Sequence, residues 1–328
     1  MITLDVFESV VDEAIENNVD LIIAHHPLLF KSIKQVNTDH SQGRIIQKLI
    51  KHDVSVYAAH TNLDVADGGV NDMLCDGLGI EERDVLVETD TEKLYKVVVY
   101  VPKSHLDVIQ DVLSGQGAGH IGNYSHCTFQ TSGKGTFKPL TGTNPYIGNQ
   151  GEIAYVDEVK VETIVQEEKL HGVVNAMIQA HPYEEVAYDI FPLKNPGKRS
   201  GVGRIGKINT SMNVKELCEH VKAIFGISHV RVTGDVTKQV NKVAVLGGSG
   251  EKYTQAAINM GADVYITGDM TFHMAQNAWQ KDLPVIDAGH YIEQVMKQAT
   301  KSYLDDKLQA QGIEIIISKE STDPFQII

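Results

Sequence analysis

The apolar runs in this chain stop abruptly, and where they stop constrains the fold more than any other feature of the sequence. Residues 20–24, 54–59, 242–246 and 263–267 read as buried strands, and 284–287 as a shorter fifth. The first runs into His25, His26 and Pro27, and the second into HTNLD (60–64). The third runs into GGSG (247–250), the fourth into Gly268 and Asp269, and the fifth through Ala288 and Gly289 into His290. Residues 7–17 and 43–52 carry apolar side chains at three- and four-residue spacing and read as amphipathic helices. Such strand–helix alternation predicts an α/β fold whose parallel sheets are covered by helices. Ligands bind such sheets beyond the carboxyl ends of the strands. All five polar motifs fall there.

Residues 95–193 follow a different pattern. YKVVVYVP is strand-like, SHLDVIQDVLS helical, and YSHCTFQT and GEIAYVDEVKVETIV are two further strands. The helix KLHGVVNAMIQAH and a last strand, VAYDIFPL, complete a β-α-β-β-α-β order, the ferredoxin-like pattern. Between its second and third strands, TSGKGTFKPLTGTNPYIGNQG reads as a long irregular loop. The expected organisation is one α/β domain formed by residues 1–94 and 201–328, interrupted by a ferredoxin-like insert over 95–200, with 194–206 as return linker.

Composition narrows the classes. Hydrophobic residues are 42% and charged residues 22% of the 328, as in ordinary globular proteins. No apolar run approaches the ~20 residues of a membrane span, and residues 1–20 show no basic start followed by an apolar stretch. A cytoplasmic protein without a membrane partner is expected. The net charge of −14 argues against nucleic acid as partner, because that binding rests on neutralising phosphates. Lys194, Lys198, Arg199 and Arg204 could form a local basic pocket, though such a run is more often a solvated loop. Cys75, Cys127 and Cys218 are widely spaced and form no CxxC, so each reads as a small buried hydrophobe.

The polar motifs supply metal-ligand chemistry. His25 and His26 bring two imidazoles, Asp64 a carboxylate, and His290 and Glu293 a second imidazole–carboxylate pair three residues apart on one face of an expected helix. On an extended chain His25 and His26 point to opposite sides, which is awkward for one ion. Two neighbouring divalent ions resolve this, each taking one of the two histidines, with Glu293 bridging, Asp64 on one ion and His290 completing the other. Taken singly, each motif has a plain structural reading: Glu near a helix start suits the dipole, and HTNLD suits a turn. Taken together, the metal reading is favoured. The ligand chemistry suits Zn first, with Mn, Fe and Co compatible.

HHPLLF, HTNLDVADGGVND (60–72), GGSG, YITGDMTFHMAQNA (265–278) and GHYIE together resemble the NIF3-like family, whose members are also called GTP cyclohydrolase 1 type 2 homologs. The segments GAGHIGNYSHCTF, PYIGNQGEIAYVDEV and HPYEEVAYDIFPL resemble the PII/CutA-like insert of its longer bacterial members. The resemblance implies a dinuclear metal site on His25, His26, Asp64, His290 and Glu293, and a ring-like homohexamer with the sites facing an internal cavity. Family members usually begin with about one further strand–helix unit containing a Trp-Asp-Asn stretch. This chain starts at MITLDVF and its one Trp is Trp279, so part of the core is expected to lie uncovered.

The implied activity is a metal-dependent hydrolase acting on GTP, which opens the guanine ring at C8 and releases formate with metal-activated water. His60 or His273 could handle protons, and Asn62, Thr267 and Asp269 could orient ligands. His273 could equally be a surface residue. GGSG could wrap a phosphate, but it lacks the lysine and spacing of a P-loop, and a tight turn fits it better. The alternatives are a metallohydrolase for another small phosphorylated, nucleotide-like substrate, or a metal-binding regulatory or scaffold protein whose insert is the interaction module. HPYEE (181–185) reads as a helix-to-strand turn with Pro182 ending the helix, although it could gate a cavity or bind its own ligand.

Overall fold

The computed structural model describes residues 1–308 and 310–328. The strands of the first part are β1 (Ile2–Thr3), β2 (Leu21–Ala24), β3 (Ser55–Ala58) and β4 (Ile80–Thr91). The middle contributes β5 (Leu94–Pro102), β6 (Thr128–Phe137), β7 (Ala154–Gln166) and β8 (Tyr188–Pro192). The last part adds β9 (Arg199–Asn213), β10 (Arg231–Thr233), β11 (Gln239–Ser249), β12 (Val264–Gly268) and β13 (Val285–Asp287). The chain divides into two compact units, Met1–Thr89 with Ser200–Ile328, and Asp90–Arg199.

The first unit holds two sheets. One is parallel, in the order β1-β2-β3. The other runs β10-β13-β12-β11-β9-β4, with β11, β12 and β13 parallel, β9 antiparallel to β11 and β10 antiparallel to β13. The helix Glu8–Glu16 buries Val10, Val11 and Ala14, and Ser41–Lys51 buries Ile45 and Leu49, the spacing that leaves one apolar stripe per helix. Both stripes join Ile22 and Ala24 of β2 in one cluster. A second cluster gathers Leu74 and Leu78 from the helix Val70–Leu78 with Val243, Val245, Val264 and Ile266. Each strand of these cores ends at its carboxyl end in a polar segment, so the packing fixes where the site residues emerge.

The second unit follows the order strand, helix (Leu106–Gly115), strand, strand, helix (Glu167–Ala180), strand, with an antiparallel sheet in the order β6-β7-β5-β8. Val97, Val99 and Val101 of β5 and Val159, Val161 and Val165 of β7 meet Ile109, Leu113, Val173 and Met177 of the two helices. In β5 and β7 the odd-numbered residues thus face the helices, and the even-numbered ones face the other side of the sheet.

Several expectations need correction. The return linker over 194–206 is only half a linker, because β9 begins at Arg199. TSGKGTF is strand rather than loop, being the greater part of β6. His290–Gln294 forms a 3-10 turn, and the long helix begins only at Val295. Arg204 is not part of a basic pocket: it is 4% exposed and holds both carboxylate oxygens of Asp72, at 3.0 Å from Nε and 2.9 Å from Nη2. Cys75 and Cys218 are buried and Cys127 half-buried, all as free thiols. Among the described residues no helix is long and apolar enough to cross a membrane.

Candidate metal centre

His25 and His26 sit on the bend that follows β2, and Asp64 lies in the short helix Thr61–Val65 that follows β3. His290 and Glu293 come from the 3-10 turn after β13, where residues three apart stack over one another. The ligand candidates therefore emerge from two different sheets of one unit and converge. Three groups of side chains could hold a metal ion, with ligand atoms all within 4.8 Å of one another in each: His25 with Asp64 and Glu293, His26 with His290 and Glu293, and His25 with His26 and His60. The bend lets the two adjacent histidines turn toward the same carboxylate, with ring centroids 5.0 Å apart.

Glu293 is the centre of the arrangement. It is 3% exposed, and its Oε2 lies 3.6 Å from His25 Nε2, 3.2 Å from His26 Nε2 and 3.3 Å from His290 Nε2. Burial alone would push this carboxyl up, but the three facing imidazoles more than offset that and hold it well below the usual carboxylate range. Asp64, 3.6 Å from His25 Nε2, is pushed up to about 6, chiefly by burial.

Each histidine is aimed from behind. The Ala59 carbonyl, which can only accept, takes a hydrogen bond from His25 Nδ1 at 2.7 Å. Asp5 takes one from His26 Nδ1 at 2.6 Å, and Asp269 one from His290 Nδ1, also at 2.6 Å. With Nδ1 donating in every case, Nε2 is the ring nitrogen turned toward Glu293. Burial opposes a charge on His26, but Asp5 and Glu293 outweigh it and raise its pKa to about 9. Glu293 first, helped by Asp269 against burial, raises His290 to about 9 as well.

His25 Nε2 bears on whether an ion fits. It is fully buried and has no hydrogen-bond partner among the described residues, a costly state for an imidazole nitrogen turned inward. Its two nearest acidic oxygens stand at 3.6 Å, too far for a hydrogen bond but placed to share a cation with it. Imidazole and carboxylate donors are the set that Zn and other first-row divalent ions take. The residues present fit such an ion.

Of the remaining candidates, His60 packs its ring on His25 and His26 at 5.3 and 5.7 Å, and burial lowers its pKa. His273 is exposed on the helix Phe272–Gln280, with Nδ1 3.3 Å from Gln276 Oε1, and belongs to none of the three groups. Asn62 is exposed, and Thr267 is fully buried, its hydroxyl donating to the Gly248 carbonyl at 3.4 Å. GGSG ends β11 against the cluster: a Cβ on Gly248, at φ +64°, would lie 2.6 Å from Glu293 Oε1. These glycines make room for the carboxylate.

Two residues escaped the sequence reading. Asp5 follows a strand of only two residues, too short to register as periodicity, and so was not seen as a strand-end carboxylate. Asn71, 2% exposed, donates to the Asp64 carbonyl and accepts from Gly247 N–H, both at 3.0 Å, and so ties the Asp64 helix to the glycine turn. The segment HTNLDVADGGVND contains it, and an amide at the start of a helix was the available signal.

An α/β protein with histidines and carboxylates gathered beyond its strand ends around the buried His25 and Glu293 is thus the class in hand. Residues 1–324 match the family described as Duf34/NIF3 (NGG1p interacting factor 3), and the chain belongs to it. It is 50% identical over 327 residues to a protein of Halalkalibacterium halodurans named GTP cyclohydrolase 1 type 2 homolog, covering 99% of this chain and 88% of that one. It is 49% identical over 330 residues to the Bacillus subtilis protein of the same name, covering 100% and 88%. A Bacillus cereus protein related to NIF3, solved by crystallography, superposes with a TM-score of 0.90 at 46% identity, covering 100% of this chain and 88% of that one.

Proposed function

We propose that this protein is a hydrolase dependent on two divalent metal ions, one held by His25, Asp64 and Glu293 and the other by His26, His290 and Glu293. The observation that carries this reading is the single buried carboxylate of Glu293 facing three Nε2 atoms, one of them without any hydrogen-bond partner. Divalent ions in such a site supply Lewis acidity to an electrophilic carbon or phosphorus centre. Asp5, Asp269 and the Ala59 carbonyl keep the imidazoles oriented while the substrate binds. His60, kept neutral by burial and lying against His25 and His26, is placed to accept a proton from the attacking water and return it to the leaving group.

The substrate we propose is GTP, from the name of the relatives, with hydrolytic opening of the guanine ring at C8 and loss of formate. The element order and the strand order β6-β7-β5-β8 support reading the unit Asp90–Arg199 as a ferredoxin-like insert in the NIF3-like domain. A homohexamer is the proposed assembly, to be read by light scattering. The test of function is GTP consumption and formate release by protein reconstituted with Zn or Mn, with Glu293→Ala alongside. Turnover lost in the variant supports the reading. Full metal occupancy without turnover on GTP, other nucleotides or phosphoesters refutes it, and leaves a metal-binding regulatory or scaffold protein.

A further inference from the structure

The unit Asp90–Arg199 contains a cavity of about 730 Å³. It lies on the side of the sheet away from the helices, under the segment 138–147 and the HPYEE turn. At its wall stands Glu158 of β7, a carboxylate only 8% exposed. Its Oε1 accepts from the Tyr183 hydroxyl at 2.9 Å. Its Oε2 lies over Gly135 of β6, where a Cβ would come within 2.1 Å, so the glycine leaves space for this oxygen. Lys160, next on the same face, pairs with Glu162 at 3.2 Å instead. Among the described residues Tyr183 is the one hydrogen-bond donor to Glu158, and no cation pairs with it. A carboxylate has room for about four hydrogen bonds, and a buried one left with a single donor lacks a partner.

The surroundings are aromatic and rigid. The Tyr183 ring meets Phe137 at 5.8 Å and Tyr146 at 6.2 Å. His181 Nε2 donates to the Tyr100 carbonyl at 3.0 Å while its Nδ1 accepts from Tyr183 N–H at 3.1 Å, which locks the turn. Glu184 accepts from Asn144 N–H at 3.1 Å and so pins the covering segment. Lys134 and Lys138 are exposed and do not reach Glu158 as ion-pair partners. No group of metal-ligating side chains gathers here among the described residues.

We propose that this cavity binds a small organic cation on a flat ring, an amidinium or protonated amino-heterocycle whose N–H groups meet Glu158 while its ring lies among Phe137, Tyr146 and Tyr183. A buried acceptor-only group selects for donors and positive charge, and the electron-rich faces around it favour a flat cation over a neutral or anionic ring. The cavity has the size that ligand sites show, and aromatic rings form part of its wall. HPYEE then serves as more than a helix-to-strand turn: it supplies a ring, a hydrogen bond to the recognising carboxylate and the pin for the cover.

The test is calorimetric titration of the full chain with benzamidine and 2-aminobenzimidazole, with neutral benzamide as control. Saturable binding of both cations is expected, unaffected by EDTA, with benzamide weaker by about tenfold or more. Glu158→Gln should weaken the cations by the same factor and leave benzamide little changed. Tyr146→Ala removes a half-exposed ring outside the helix-side core, and should weaken all three probes several-fold with the fold intact by circular dichroism. Equal affinity for benzamide, undiminished cation binding by Glu158→Gln, or no saturable binding of either cation overturns the proposal. If Glu158→Gln fails to fold, unchanged cation binding by Tyr146→Ala overturns it instead.

Discussion

Asp5 isolates the part of the metal centre that orients without ligating. Its Oδ1 accepts from His26 Nδ1 at 2.6 Å and its Oδ2 accepts from the Thr322 hydroxyl, and the Asp5 and His26 side chains are each 22% exposed. Asp5→Asn keeps the shape and a carbonyl oxygen for Nδ1–H, so it removes charge and little else. A hydrogen bond to a charged group contributes about 1.5–3 kcal/mol and a neutral one about 0.5–1.5, a difference close to tenfold in affinity. Asp5→Ala also frees the ring to turn and change tautomer, and losses of such outer partners reach about a hundredfold in metal affinity. Competitive titration of metal-free protein with Zn against a chromophoric chelator reads both. The binding step assigned to His26, His290 and Glu293 should weaken by these factors, with the His25 step little changed. Thr322→Val removes the other contact of Asp5 without touching His26, and should bind Zn normally. If both Asp5 variants bind Zn as the native chain does, or if Thr322→Val reproduces their defect, the orientation argument is wrong.

Gly248→Ala places a Cβ 2.6 Å from Glu293 Oε1 at φ +64°, which costs about 1–2 kcal/mol in backbone strain alone and displaces the shared carboxylate. Urea unfolding should show the loss and both Zn steps should weaken; normal Zn binding would count against the close approach. Arg204→Met removes the two bonds at 3.0 and 2.9 Å and leaves the half-buried Asp72 carboxylate with the Gly68 N–H and Arg83 at 3.8 Å, so it should cost about 1.5–3 kcal/mol. Its urea midpoint should fall at constant slope, and an unchanged midpoint would show the pair to be dispensable. Stripping metal with EDTA should lower the Tm, since each ion at a hundred times its Kd stabilises by about 2.7 kcal/mol. A Tm indifferent to EDTA and to added Zn would sink the metal reading.

The strand Val264–Gly268 was legible because burial on both faces leaves no polar alternation to confuse it, and Leu21–Ala24 because even its less buried face carries the apolar Leu21 and Ile23. Strand β9 was not, because its glycines look like loop punctuation. A Cβ at Gly201 would lie 2.0 Å from the Val87 carbonyl and one at Gly206 2.4 Å from the Glu81 carbonyl, so these glycines record the close approach of β4. Gly135 misled in the same way, since it leaves room for Glu158 within a strand. The ligand candidates were readable because each ends a strand. The means of their convergence were not, because these are a bend at His25 and His26 and two sheets ending at one place. Arg204 read as one of a basic run, and only tertiary structure could show its commitment to Asp72, distant in sequence.

Charge balance argues for two ions over one. Four carboxylates, Asp5, Asp64, Asp269 and Glu293, stand within ion-pair distance of the three clustered histidines. Imidazole ligates in its neutral form, so with metal bound the four acids present four negative charges to be balanced locally. One divalent ion balances half of that charge and leaves the rest to solvent, which reaches Asp269 and Asp5, 42% and 22% exposed, but not Glu293. Two ions balance that charge in full, and the grouping of donors around Glu293 offers each of them a histidine from the His25–His26 pair. Metal analysis of reconstituted and desalted protein should then give two ions per chain. Asp64→Asn, which touches only the His25 group, should retain one, and Glu293→Gln, which removes the shared charge, should retain less than one. A single ion in the native chain at saturating metal, or the same content in Glu293→Gln, would refute the shared-carboxylate arrangement.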